Sequence, residues 1–229
     1  MTKISEPDFV SYVKAFDVFG AVETFTSTHF DFSTHFDNYH VFHSPAIKLS
    51  ARGRRSGGVA IFIEKTIMPV VAHIECGHDN MICIKISKDV AGQDRDLLFV
   101  AVYVPPCQSP YYKRTDTNCT IHLLEDFLVN LYQAGENAHF MVCGDFNARI
   151  GELNVLIDDD NNLFGDGVCR DDPRKSHDKN KISFVKSLLI FAQYLHCIPF
   201  NGNRSGDVDG FYTFMSDQRN SVIDYCVVS

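Results

Sequence analysis

His139-Phe140-Met141-Val142-Cys143 runs directly into Gly144-Asp145-Phe146-Asn147. The first five residues are largely apolar and read as a short strand. The glycine marks a turn at its end, followed by an acid and an amide two positions apart. In extended backbone, residues i and i+2 point to one side, so Asp145 and Asn147 are expected to project together from a sheet's end. Metal-assisted phosphoryl chemistry uses that combination: an anion to position water or Mg²⁺, and a neutral donor for phosphate oxygens. A strand-end Asx turn accounts for the same residues on backbone grounds alone.

Working outward, strands dominate both flanks. Leu97 to Val104 is nearly all apolar and must stop at Pro105-Pro106. Met81 to Ile86 alternates, with Met81, Cys83 and Lys85 on one face and Ile82, Ile84 and Ile86 on the other. Earlier strands are expected at Asp17 to Val22, Tyr39 to Phe42, Gly57 to Ile63 and Val70 to Ile74, and later ones at Cys197 to Phe200, Phe211 to Phe214 and Val222 to Val228. Helical spacing appears after Ser5-Glu6-Pro7-Asp8, with Ser5 as the expected N-cap, and again at Ile121, Leu124, Leu128 and Leu131 and at Ile182, Val185, Leu189 and Ala192. Residues 151–181 read as a long polar loop. No repeat or linker interrupts the pattern, so residues 1–229 read as one domain. Helices interrupting many strands point to an α/β or α+β layered fold, two sheets packed face to face with helices outside.

Composition narrows the function classes. The chain has 229 residues, 45% hydrophobic and 22% charged, which suits a globular domain rather than a disordered or fibrous chain. Its net charge of -8 argues against a bulk basic nucleic-acid binder, but not against a local basic patch or a metal-bridged phosphate site. Eight cysteines stand singly with no Cys-x-x-Cys pair, which disfavours a zinc ribbon. The start carries Glu6 and Asp8 and no apolar segment, so free thiols in a reducing, intracellular setting are expected. No apolar run approaches the length of a membrane span.

Three further residues sit where strands surface. Glu23 follows an apolar strand and suits a hard-cation ligand, although a charged strand end can be merely solvated. Tyr103 ends a strand fixed by prolines and can offer its hydroxyl to a phosphate or satisfy it within the core. Asp224 lies in an apolar terminal run and must be paired or hydrogen-bonded if buried.

Taken in order, Val22-Glu23-Thr24, Ser56-Gly57-Gly58-Val59, Tyr103-Val104-Pro105-Pro106, Gly144-Asp145-Phe146-Asn147 and Ser221-Val222-Ile223-Asp224-Tyr225 resemble the endonuclease/exonuclease/phosphatase superfamily. Arg54-Arg55-Ser56-Gly57-Gly58, Asn201-Gly202-Asn203-Arg204 and Tyr212-Thr213-Phe214 make the chain look most like the endonuclease domain of LINE-type non-LTR retrotransposons. The resemblance implies a four-layer α/β sandwich with two mostly antiparallel sheets, dependence on Mg²⁺ or Mn²⁺, and DNA nicking by a monomer, in the nucleus if active. It matches Glu23 to a metal-binding Glu, Tyr103 to a Tyr near the scissile phosphate, and Asp145 to the Asp that activates or orients the attacking water. It matches Asn147 to an amide that holds the phosphate, Asp224 to the Asp that buttresses a catalytic His, and Thr213 to a residue facing DNA. An N-terminal strand with its Asn and a C-terminal Ser-Asp-His motif have no match here, so the chain is expected to be an end-truncated copy of impaired activity. The alternatives are the same fold acting on abasic DNA or another phosphoester, and a non-catalytic remnant.

Charged loops add two readings. Arg52, Arg54 and Arg55 precede Ser56-Gly57-Gly58, and Lys113-Arg114 and Arg174-Lys175 lie in loops. They can grip a DNA backbone, with Arg52 and Arg55 the first candidates, or be simply solvated. The acidic stretch around Asp158-Asp159-Asp160 lacks EF-hand spacing and reads as a solvated loop.

Overall fold

The computed structural model describes residues 5–115, 119–151, 175–178, 188, 191–192, 198–201, 207, 209–215 and 220–229. The elements, in chain order, are α1 (Pro7–Val13), β1 (Val18–Val22), β2 (Tyr39–Ser44), β3 (Val59–Glu64), β4 (Val71–Ile74), β5 (Met81–Ile86), α2 (Lys88–Ala91), β6 (Asp96–Tyr103), α3 (Pro110–Thr115), α4 (Thr120–Gln133), β7 (Ala138–Asp145), β8 (Ile198–Pro199), β9 (Phe214–Met215), β10 (Asn220–Ser221) and β11 (Asp224–Val228). A three-stranded sheet has the order β1-β3-β2, and a six-stranded sheet the order β4-β5-β6-β7-β11-β8. A two-stranded ribbon pairs β9 with β10. Every named pairing is antiparallel except β6 with β7.

Side-chain alternation sorts these strands into layers. Val59, Ile61 and Ile63 of β3 meet Ile82, Ile84 and Ile86 of β5 and Ala101 and Tyr103 of β6, forming the apolar seam between the two sheets. The opposite face of β3, Ala60 and Phe62, is covered by Val13 of α1 and by Phe32 and Phe36 of the segment between β1 and β2. Phe62 stacks on Phe19 at 4.3 Å and sits edge-on to Phe32, so part of the phenylalanine excess forms this outer layer. On the far face of the large sheet, Leu98, Val100, Val102, Phe140 and Val142 pack under Ile121, Leu124 and Leu128 of α4. Each of those three α4 side chains contributes roughly 1.5–3 kcal/mol by leaving water. The result is the expected α/β arrangement of two sheets packed together and flanked by helices.

Local departures from the sequence reading have physical causes. The N-cap of α1 is Glu6, not Ser5, because Pro7 occupies the first helical position and holds the residue before it in extended backbone. β3 begins at Val59 rather than Gly57, since Gly57 and Gly58 adopt φ of 74° and 93°, outside the strand region. Val70 belongs to a single 3-10 turn, Met68–Val70, and the strand starts one residue later. Asp224 opens β11 instead of lying within it. The amides before it are taken by side chains: Val222 N–H donates to Asp178 Oδ2, and Ile223 N–H to Thr213 Oγ1. Phe211 N–H likewise donates to Asp207 Oδ1, so the ribbon pairs only at Phe214–Met215. Of the helix expected over 182–192, Leu188, Phe191 and Ala192 are described and fully buried in the α4-side core. Most of the 151–181 loop, with its acidic stretch, lies outside the described residues.

Candidate active site

Strand register assembles the site. In β6 and β7, Tyr103 pairs with Asp145, and in β7 and β11, Asp145 pairs with Asp224. The three residues therefore form one row across neighbouring strands. The row lies at the carboxyl ends of the only parallel pair among the named strands, where open α/β sheets place their ligands. Phe146 N–H donates to the Ile223 carbonyl and Ser229 N–H to the Phe140 carbonyl. These mark the hydrogen-bonded rungs, so Asp145 and Asp224 face each other across a non-hydrogen-bonded rung, where side chains approach most closely.

Gly144 makes the adjoining β6–β7 pairing feasible. Its φ is 152°, and a Cβ there would overlap the Val102 carbonyl oxygen of β6. Beyond it the chain does not stay extended. Asn147 has φ of 46°, so the meeting of Asp145 and Asn147 comes from a turn and not from strand alternation. Asn147 N–H donates to Asp145 Oδ1 at 2.8 Å, and its Nδ2 donates to Asp145 Oδ2 at 3.0 Å and to the Val104 carbonyl at 2.9 Å. The Asx turn and the paired functional groups are thus one structure. Both amide hydrogens of Asn147 are spent on holding the carboxylate and the β6 end.

Glu23 reaches the row from the smaller sheet. It has φ of 52° and Phe25 has φ of 53°, two non-glycine residues in the left-handed region. Such strain persists only where surroundings over-determine it. Here Thr24 N–H and Phe25 N–H donate to the Gly58 and Gly57 carbonyls. The Thr24 hydroxyl meets that of Thr26 at 2.9 Å, and Thr26 meets His43 Nε2 at 2.7 Å. A Cβ at Gly58 would overlap Thr24 Oγ1, so the two-glycine entry to β3 is what lets this segment close. Glu23 comes close enough for its charge to raise both Tyr103 and Asp145.

The electrostatics follow from placing three acids close together, Asp145 buried and Glu23 and Asp224 half-buried. Burial, then the Asp224 and Glu23 charges, pushes the Asp145 carboxyl up to about 8, opposed by the Asn147 hydrogen bonds. Asp224 is raised by burial, opposed by its hydrogen bond from Thr213, with Glu23 raising it further. Tyr103 is raised by burial and then by Glu23 and Asp145, so it stays protonated as a donor. The excess negative charge is what a cation would neutralise. Among the described residues, no three His, Cys, Asp or Glu side chains form a metal-holding group.

The backbone-holding work of several residues left no signal in the sequence, including that of Thr213, which the resemblance matched to a DNA-facing position. Thr213 Oγ1 accepts from the backbone N–H groups of both Ile223 and Asp224 at 3.1 Å, so it sets the entry of β11. Asn201, from the Asn-Gly-Asn-Arg stretch, donates to the Asp224 carbonyl and accepts from Cys226 N–H. Arg149 forks onto Asp178 at 2.6 and 2.7 Å, and the same carboxylate accepts Val222 N–H. This pair ties the segment after Asn147 to the residues before Asp224. Asp178 has only 1% of its side chain exposed. Asp178→Ala is expected to cost about 3–5 kcal/mol, because it leaves Arg149 without its buried counter-charge. A urea titration of both proteins measures it; a shift under about 1 kcal/mol would show a solvated pair.

Of the basic candidates, Arg55 donates to the Ala46 carbonyl at 3.0 Å and Arg54 stacks over Phe25 at 4.4 Å, while Arg52 is exposed. They lie in the turn closed by the Ile47–Ser56 bridge, next to Gly57, where an added Cβ would come within 3.1 Å of the Tyr103 ring.

Known proteins share this architecture. The AP endonuclease LMAP of Leishmania major superposes with a TM-score of 0.62 at 15% identity, over 96% of this chain and 72% of its own. The 3'-5' exonuclease NExo of Neisseria meningitidis gives 0.58 at 16% identity, over 99% and 82%. The human nocturnin catalytic domain gives 0.55 at 13% identity, over 95% and 70%. Comparison with curated proteins yields no match. The family model described as Endonuclease/Exonuclease/phosphatase matches residues 6–229, and the chain belongs to that family.

Proposed function

We propose that this chain is a divalent-cation-dependent phosphodiesterase that nicks DNA, serving the endonuclease step of a non-LTR retrotransposon. The observation that carries the reading is the row of Tyr103, Asp145 and Asp224 across neighbouring strands, with the Glu23 charge acting on all three. The retrotransposon assignment rests on the motif set from Val22-Glu23-Thr24 to Ile223-Asp224-Tyr225.

The donor set fits Mg²⁺ or Mn²⁺. Every acidic group at the site is a hard oxygen ligand, and Asp145 is pushed up by burial and then by the neighbouring Asp224 and Glu23 charges. A Mg²⁺ ion usually takes only one or two carboxylates and completes its shell with water and phosphate oxygens, so a three-residue cage is not required. Glu23 and Asp145 would hold it, and the bound cation supplies charge neutralisation at the phosphate. In this reading Asp145 orients and deprotonates the attacking water, with its plane held by Asn147. Tyr103 donates its hydroxyl to a phosphate oxygen. Asp224 sets the charge on Asp145, and Thr213 holds Asp224 at the rung. Arg52 and the arginines beside it meet the DNA backbone.

Supercoiled plasmid nicking with Mg²⁺ or Mn²⁺, abolished by chelator, tests the proposal. A chain that nicks equally well with Asp145→Asn would refute it. Binding of the cation also has a readout independent of activity. At about 100-fold excess over its dissociation constant, Mg²⁺ is expected to add about 2.7 kcal/mol of stability. For a chain of this size that is a rise of roughly 5–10 °C in melting temperature. No shift at saturating Mg²⁺ would remove the metal from the reading.

A second reading, cleavage at an abasic site, draws on the likeness to the Leishmania and Archaeoglobus fulgidus AP endonucleases, the latter with a TM-score of 0.55 at 16% identity, over 96% of this chain and 79% of its own. A duplex carrying one abasic site, compared with the intact duplex, separates the two.

A further inference from the structure

We infer that Cys143 and Cys226 form a dithiol site directly beneath the carboxylate row, closed reversibly to a disulfide by low-molecular-weight disulfides. The two residues are register partners on β7 and β11. They lie on a non-hydrogen-bonded rung, the next such rung after Asp145 and Asp224 and on the same face. Non-hydrogen-bonded partners have Cα atoms about 4.5 Å apart. That falls inside the ~4.4–6.8 Å range that a disulfide spans. The sulfurs stand 3.0 Å apart, so closing to a bond of ~2.05 Å requires a movement of about 1 Å. Both side chains are partly exposed, which lets a small oxidant reach them. Cys76 and Cys83 on the other flank differ: Cys83 is fully buried and its register partner is Ile74.

The chemistry balances as thiol–disulfide exchange. Two Cys S–H bonds and the S–S bond of the oxidant break, one Cys143–Cys226 S–S bond forms, and the oxidant leaves as two thiols carrying the two protons and two electrons. In a reducing compartment such a pair is a sensor rather than a staple. Its effect on the row follows from distance. The carboxylate rung lies two residues along the same strands, about 7 Å away. Cys226 N–H is held by Asn201, whose other end grips the Asp224 carbonyl, so a shift at Cys226 reaches Asp224. A displacement near 1 Å at a reacting centre costs about 100-fold in rate. The dithiol site stands on geometry alone; only its effect on cleavage rests on the phosphodiesterase reading.

The test treats the full chain with excess glutathione disulfide, then with dithiothreitol, following peptide masses and plasmid nicking. The expected result is a protease-released peptide pair joined through Cys143 and Cys226. Nicking should fall by about 100-fold and recover on reduction. Cys226→Ser should keep the reduced-state activity and lose the response; Cys226→Ala serves if the serine variant fails to fold. Glutathione attached singly to either cysteine, or no linkage at this pair, would overturn the site. A bridge at this pair with unchanged nicking would overturn its coupling to the carboxylates. A chain that bridges here yet nicks in neither state refutes the phosphodiesterase reading and leaves the dithiol site standing.

Discussion

Asp145→Asn is expected to lower plasmid nicking by about 10³-fold and to flatten the pH dependence of stability in the metal-free chain. The first effect follows from removing the anion that orients and deprotonates water, while the amide keeps the side-chain shape and can still accept Asn147 N–H. The second follows from linkage. In the folded chain Asp145 is raised from 3.8 to about 8, so the folded state binds its proton more tightly than the unfolded one. The associated stability is fully present below about pH 4 and is lost as pH rises through 8. Asp224 is raised as well and acts in the same direction. Thermal melts in chelator should therefore show the wild type losing a few kcal/mol, in order of magnitude, from pH 5 to pH 8. The variant should lose much less. Parallel curves for the two proteins would mean that Asp145 is not the raised group. Added Mg²⁺ should help the wild type most at pH 8, where the carboxylate charge it neutralises is most developed.

Gly144→Ala is expected to be the most damaging glycine-to-alanine change among the described residues, costing more than about 4 kcal/mol. The new Cβ would overlap the Val102 carbonyl oxygen and lie 2.9 Å from its carbon. Val102 and Gly144 are partners in the parallel β6–β7 pair, and Val102 is fully buried. Relief requires parting two central strands or abandoning φ of 152°, and either change moves Asp145. Gly92→Ala is the matched control. Gly92 also has positive φ, 65°, but a Cβ there meets nothing within 4 Å. It should cost only the roughly 1–2 kcal/mol of left-handed backbone. Denaturant midpoints of the two variants measure the difference; equal values would place the Gly144 requirement in backbone conformation alone.

Glu23, Tyr103 and Asp145 stand out as candidates in the sequence because each ends an apolar run, where a polar side chain has few structural reasons to be. Tyr103 before two prolines and Asp145 after a glycine are the clearest cases. Layer membership was legible too, since Met81 to Ile86 shows its two faces in period-2 alternation, and the structure buries those faces against different neighbours. Helices α2 and α3, with four and six residues, are too short for a periodic signal and went unseen. Strand alternation alone does not account for the Asp145–Asn147 pairing. Alternation assumes extended backbone, and Asn147 leaves it at φ of 46°.

By itself, then, the sequence determined which residues are apolar, where strands must stop, and which acids surface there, because local sterics and burial set those features. Only the tertiary structure decided that Tyr103, Asp145 and Asp224 share one row, since strand register is chosen by the packing of whole faces and not by any segment. The same holds for Thr213, Asp178, Asn201 and His43, whose work depends on a partner between 11 and 44 residues away for three of them and 17 for His43. A hydroxyl, an amide or a charge carries no mark in sequence of the backbone group it will hold. Cys143 and Cys226 make the point most sharply: two cysteines 83 residues apart, unrelated along the chain, become neighbours 3.0 Å apart through register alone.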